Sequence, residues 1–177
     1  HSAVLYNGDQ MIIFGGRDSS GVVNDTYSLD LSSNAWTQII TSGSAPAARY
    51  SHSAVLYNGD QMIIFGGWDG SGYLNDVYSL DLSSNAWTQI TTSGSSPSGR
   101  SDFSSVLYDG NQMIIFGGYD GSSRLNDIHS LDLSSNTWTQ ITTSGSGPSV
   151  GYAASAVLYD GDQMITFGGW DGSSALN

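Results

Sequence analysis

The chain of 177 residues has no cysteine, no lysine, no glutamate and only three prolines. Without thiols it can form no disulfide, no thiolate metal site and no cysteine nucleophile. Lysine and glutamate are favoured helix formers, whereas Gly, Ser, Thr, Asn and Asp, in which the chain is rich, favour turns and caps. A helical bundle or an α/β enzyme is therefore not expected. Positive charge is also scarce: four arginines face 16 aspartates, for a net charge of −12 and a pI near 4.1. Nucleic acids and anionic membranes bind basic surfaces, so neither is an expected partner. No apolar run approaches the roughly 18 residues of a membrane-crossing helix, so no membrane insertion is expected.

What the chain does have is internal repetition, and this sets the architecture. Residues 1–51, 52–102 and 103–153 are three near-identical copies, and 154–177 begin a fourth. The string HSAVLYNGDQMIIFGG at 1–16 returns unchanged at 52–67 and with few changes at 103–118 and 154–169. Each copy divides into four short strands. In the first, strand A is SAVLY at 2–6, and Asn7-Gly8-Asp9 is a tight-turn signal. Strand B is QMIIF at 10–14, a continuous apolar run expected to be covered on both faces, ended by Gly15-Gly16. A ten-residue loop leads to the alternating strand C, TYSLDL at 26–31, and Ser32-Ser33-Asn34 turns into strand D, AWTQI at 35–39. One such copy cannot bury its apolar faces alone, so copies must stack on their neighbours.

The double glycine after an apolar strand, followed by Tyr and Trp at fixed separation, resembles the kelch repeat. Gly15-Gly16, Tyr27 and Trp36 match it, as do Gly66-Gly67, Tyr78 and Trp87; the third copy has Gly117-Gly118 and Trp138, with His129 in the tyrosine place. Among kelch proteins the likeness is to secreted bacterial forms. The resemblance implies an all-β fold, a kelch-type β-propeller arc of four-stranded antiparallel blades with strand A lining the central channel. Three blades and the A and B strands of a fourth make about 3.5 blades, fewer than a closed propeller's usual ~4–8. A larger, six- or seven-bladed parent is the expectation, completed by further blades or by self-association.

Catalytic motifs are missing. His1, His52 and His129 are far apart in sequence with no zinc-type spacing, and no Gly-x-Ser-x-Gly elbow occurs. No enzymatic activity and no cofactor are expected. The loops between strands B and C carry Asp69 and Asp76, and Asp120 and Asp127, which offer oxygen ligands for calcium. The preferred reading of these aspartates is that they satisfy loop backbone groups as Asx turns. Asn24-Asp25-Thr26 is the one N-glycosylation sequon.

The strand order sharpens the functional reading. In an up-and-down blade the AB and CD turns lie at one end, and the BC and DA loops at the other. The turns hardly vary between copies, while the long loops hold most of the differences. After the double glycine stand Arg17, Trp68, Tyr119 and Trp170; further along BC stand Val22, Tyr73, Arg124 and Ala175; the DA segments supply Arg49 and Arg100. Loops drift freely, but drift toward exposed Trp and Tyr is not what solubility favours. Arg17, Trp68, Tyr119, Trp170, Tyr73, Arg124, Arg49 and Arg100 are thus the expected ligand-binding residues of a BC/DA rim. The function expected is non-catalytic recognition of a protein or glycan. The alternatives are a structural repeat of a cell-surface or extracellular assembly, and the propeller part of an enzyme whose site lies elsewhere. A Ser/Thr-rich, lysine-free acidic chain suits a secreted or cell-surface setting.

Overall fold

A computed structural model describes residues 1–148 and 151–176. The first blade is β1 (Ser2–Tyr6), β2 (Gln10–Arg17), β3 (Val22–Asp30) and β4 (Ala35–Ile39), hydrogen-bonded in that order and antiparallel. A two-residue strand, β5 (Ser42–Gly43), leaves it and joins the second blade, β6 (Ser53–Tyr57), β7 (Gln61–Phe65), β8 (Val77–Asp81) and β9 (Ala86–Ile90). Likewise β10 (Ser93–Gly94) joins the third, β11 (Ser104–Tyr108), β12 (Gln112–Tyr119), β13 (Arg124–Asp132) and β14 (Thr137–Ile141). The fourth sheet is the hairpin β15 (Ser155–Tyr159) and β16 (Gln163–Phe167). The architecture is all-β, an arc of a β-propeller whose innermost strands β1, β6, β11 and β15 neighbour one another in turn.

The AB turns form because Asn7-Gly8 and their counterparts take left-handed φ, which Asn, Asp and Gly tolerate best. At each CD turn one carboxylate closes the loop: Asp30 Oδ1 accepts from the amides of Ser32 and Ser33 at 2.8 and 3.0 Å and from the Ser32 hydroxyl at 2.6 Å. Such local side-chain bonds cap a turn without any tertiary partner, so the motif repeats unchanged at Asp81 and Asp132.

Apolar stacking between blades makes the core. One cluster joins the first two blades through Ile12, Phe14, Met62, Ile64, Leu80 and Trp87. A second joins blades two and three through Ile63, Phe65, Val77, Met113, Ile115 and Trp138. Strand β7 serves both: Met62 and Ile64 face backwards, Ile63 and Phe65 forwards. That is why QMIIF is apolar without alternation. Each seam closes on a tryptophan of the following blade, Trp87 against Phe14 at 4.8 Å between ring centres and Trp138 against Phe65 at 5.0 Å. Trp36, with no blade before it in this chain, stays 55 % exposed.

Two features differ from the sequence reading. The ten-residue BC loop is shorter in blades one and three, because the strands continue through the double glycine. A bulge between Phe14 and Gly16 lets β2 run on to pair Arg17 with Val22, and Phe116 to Gly118 does the same for Tyr119 and Arg124. The β5 and β10 additions pair in parallel with the outer strands β9 and β14, so the starts of these two DA segments extend the next blade.

Candidate functional site

The double glycine also builds the floor of the rim. Gly67 donates its amide to the Arg100 carbonyl at 2.8 Å, and a Cβ on Gly67 would fall 2.8 Å from the Tyr50 carbonyl oxygen. Only a residue without a side chain allows the DA segments to approach this closely. The following residue then pairs with the preceding DA segment: Trp68 and Tyr50 exchange backbone hydrogen bonds at 2.9 and 3.1 Å, and Tyr119 and Ser101 do so at 2.9 Å. Tyr152 and Trp170 repeat the pairing.

This pairing sets a row of aromatic side chains across the blade ends. Trp68 lies 4.6 Å from Tyr73 between ring centres, Tyr73 lies 5.6 Å from Tyr119 at 84°, and Tyr119 lies 5.9 Å from Tyr152. Trp68, Tyr73, Tyr119 and Tyr152 are half-buried, and Trp170 is exposed. The row crosses the blade seams by interlocking: a Cβ on Gly121 would stand 2.6 Å from the Tyr73 ring, and one on Gly172 would overlap the Arg124 guanidinium. Glycine at these places therefore leaves the space that the previous blade's side chain fills. Arg124 also stands 5.9 Å over the Tyr152 ring, within cation–π range. Arg17 is exposed at the end of β2. Tyr152 belongs to the row although sequence reasoning left it out of the site; its place beside Gly151 in the DA segment, matching Tyr50, was the available signal.

Arg49 and Arg100 need correction. Both are buried, at 0 % and 1 % exposure, and neither is free for a ligand. Arg49 pairs with Asp76 at 2.6 and 3.1 Å, and its Nη1 also donates to the Gly66 carbonyl at 3.0 Å. Arg100 makes the same contacts one blade on, to Asp127 at 2.6 and 3.0 Å and to the Gly117 carbonyl at 3.0 Å. Their backbones hydrogen-bond to the blade behind, through Val23 and Leu74, so each arginine staples two blades together. A buried guanidinium needs a fork of acceptors, and the carboxylate and carbonyl supply it.

The calcium alternative loses the same aspartates. Asp76 is committed to Arg49; Asp127 is committed to Arg100 and receives His129 Nε2 at 2.9 Å. Burial raises the Asp127 pKa, but the Arg100 and His129 contacts outweigh it and hold the carboxyl below the usual range. Asp69 and Asp120 close Asx turns, accepting from Ser71 and Gly72 at 2.7 and 2.8 Å and from Ser122 and Ser123 at 2.9 and 2.7 Å. These hydrogen bonds lower both pKa values, and the backbone amides of Ser71 and Ser122 are the largest influences. Among the described residues no group of three or more such side chains converges on a metal position.

Four-stranded sheets in an arc, with two seams each closed by a tryptophan and stapled by an arginine beneath a double glycine, define a propeller built from kelch-type repeats. Over residues 1–169 the chain matches the KLHDC2/KLHL20/DRC7 kelch-repeats domain, and it belongs to the kelch-repeat family. It is 34 % identical over 185 residues to the leucine-zipper-like transcriptional regulator 1 homolog of Drosophila melanogaster, covering 100 % of this chain and 19 % of that protein. It is 34 % identical to human Kelch domain-containing protein 3, covering 97 % of this chain and 47 % of that protein. A third relative, acyl-CoA-binding domain-containing protein 5 of Arabidopsis thaliana, is 30 % identical, with 100 % and 27 % covered. The chain spans about half or less of the length of these relatives. All three are eukaryotic, and none of them supports the likeness to secreted bacterial forms.

Proposed function

We propose that this chain is a non-catalytic recognition scaffold that binds a partner protein on its BC/DA rim, in a secreted or cell-surface setting. The observation that carries this reading is the continuous row Trp68–Tyr73–Tyr119–Tyr152. It is built where the repeats differ, on a frame where they are nearly identical. Rigid, half-buried aromatics offer a partner large contact area at small entropic cost, the usual anatomy of an interface hot spot. Membership of the kelch-repeat family supports a protein-interaction scaffold over a glycan reader.

Peptides selected by display on the wild-type protein provide the test. Trp68→Ala weakens their binding about 5- to 150-fold, by analogy with aromatic stacking on a ligand. Asp81→Asn, at the CD turn on the opposite end, leaves it unchanged. Selection of peptides that bind both variants equally well would place the recognition surface elsewhere, and a sugar array bound through Trp68 would replace the protein partner by a glycan.

A further inference from the structure

The one sequon of the chain, Asn24-Asp25-Thr26, takes no part in the aromatic row, and its surroundings set it apart from the equivalent tripeptides. Asn24 lies at the rim end of β3, where the register jumps from Val23 opposite Gly16 to Thr26 opposite Phe14. Asn24 and Asp25 therefore fall in the bulge, and both residues are exposed. Beyond a long 3.5 Å contact from Nδ2 to the Pro46 carbonyl, the Asn24 side chain has no hydrogen-bond partner among the described residues.

Thr26 is in the opposite situation. It is 2 % exposed, and its hydroxyl is buried with no partner among the described residues. The second and third repeats hold Val77 and Ile128 at this place, and Val77 belongs to the core between blades two and three. Packing thus asks for an apolar branched side chain here, and an unpartnered buried hydroxyl costs stability. A sequon asks for that hydroxyl two residues after its asparagine. Asn75-Asp76-Val77 and Asn126-Asp127-Ile128 keep the exposed asparagine and lack the hydroxyl. The repeat that has it is also the one whose BC segment, residues 17–25, contains no aromatic residue; the later segments bring Trp68, Tyr73, Tyr119 and Trp170 to the rim. A bulky, hydrophilic glycan on Asn24 would stand at blade one and leave the aromatic row of the later blades uncovered.

We propose that Asn24 is an N-glycan attachment site, modified before the first blade folds. The proposal rests on the secreted or cell-surface setting and not on the rim as a binding surface. In the transfer, the Asn24 amide nitrogen attacks C1 of an N-acetylglucosamine carried on a lipid pyrophosphate. The N–C1 bond forms, the C1–O bond to the pyrophosphate breaks, the amide gives up one proton and the lipid pyrophosphate leaves. The transferring enzyme must reach the Thr26 hydroxyl, which the folded blade hides, so the sequon is read on the unfolded chain. As the test, the whole chain is secreted from a eukaryotic host behind a cleavable leader. Peptide N-glycosidase in heavy-oxygen water then leaves an isotope label wherever a glycan was removed. The label appears at position 24 in the wild type and in Thr26→Ser, and is lost in Asn24→Gln and in Thr26→Val. Thr26→Val keeps the fold, because the second repeat holds Val77 at that place. Folded chain made without a glycan stays unmodified when given the transferase and its lipid-linked donor. An unlabelled position 24 in the secreted wild type, a label that persists in Thr26→Val, or modification of the folded chain overturns the proposal. An unlabelled chain that still binds display-selected peptides through Trp68 loses the glycan and keeps the rim; a labelled chain whose peptides ignore Trp68 does the reverse.

Discussion

The Arg49 guanidinium meets the Asp76 carboxylate through two contacts, Nη1 to Oδ1 at 2.6 Å and Nη2 to Oδ2 at 3.1 Å, across the seam between the first and second blades. Arg49 is buried, whereas Asp76 retains 26 % exposure. Removing the arginine therefore strands a partly buried carboxylate and one buried carbonyl. Arg49→Met lowers stability by about 3 kcal/mol, near the low end for breaking a buried pair because water reaches Asp76. Arg49→Met combined with Asp76→Leu recovers a substantial part of the loss. Urea midpoints of the single and double variants check this; a double variant as unstable as the single one would show that the pair is not the cause.

The tryptophans at the seams separate packing from polarity. The indole nitrogens of Trp87 and Trp138 are buried with no hydrogen-bond partner among the described residues. Trp87→Ala removes the ring that packs on Phe14 and costs about 3–5 kcal/mol. Trp87→Phe gives up no hydrogen bond and costs less than half of that. Trp36→Ala, on an exposed ring, stays within about 0.5 kcal/mol of wild type in the same denaturant series.

His52 makes stability depend on pH. Its ring packs on Phe14 at 5.4 Å between ring centres, and burial, with Arg49 adding, lowers its pKa from 6.5 to about 3. Below pH 6.5 the unfolded chain takes up a proton that the folded chain refuses. The contribution of His52 is therefore complete above pH 6.5 and is lost as pH falls toward 3, by at most about 1.4 kcal/mol per pH unit. Phe103 occupies the equivalent place in the third repeat. His52→Phe flattens the fall in stability between pH 6.5 and 4.5, measured by urea unfolding against wild type; an unchanged slope would mean that the ring is already solvated.

Thr26 carries a buried hydroxyl with no partner among the described residues, where the next two repeats have Val77 and Ile128. Thr26→Val therefore raises stability by about 1 kcal/mol. A lower melting temperature would reveal a hydrogen bond that the fold depends on.

Strands A and D, and the start of strand B, were legible because their turns are dictated by Asn-Gly, Asp-Gly and Ser-Ser-Asn within a few residues. Local chemistry fixed those boundaries. The lengthened β2–β3 hairpin was not legible, because Gly15-Gly16 reads as an end to the strand when it is a bulge within it. β5 was invisible for a similar reason: Ser42-Gly43 has no strand pattern and pairs only because β9 of the next blade offers an edge. The arginines illustrate a third limit. Position in a loop suggested exposure, yet Arg49 is 27 residues before Asp76 and Arg100 is 27 before Asp127, a recurring spacing that marks a pair. Distances between side chains of different blades, such as Tyr73 against Gly121, emerge only once the blades are stacked.

The central claim, that recognition occurs on the rim and not at the AB and CD turns, is tested most directly by hydroxyl-radical footprinting with a display-selected peptide bound. Trp68, Tyr73, Tyr119 and Tyr152 are predicted to be protected in the complex, while Tyr6, Tyr57 and Tyr108, which precede the AB turns, keep the reactivity of the free protein. Protection of those three tyrosines with an unchanged rim would contradict the account.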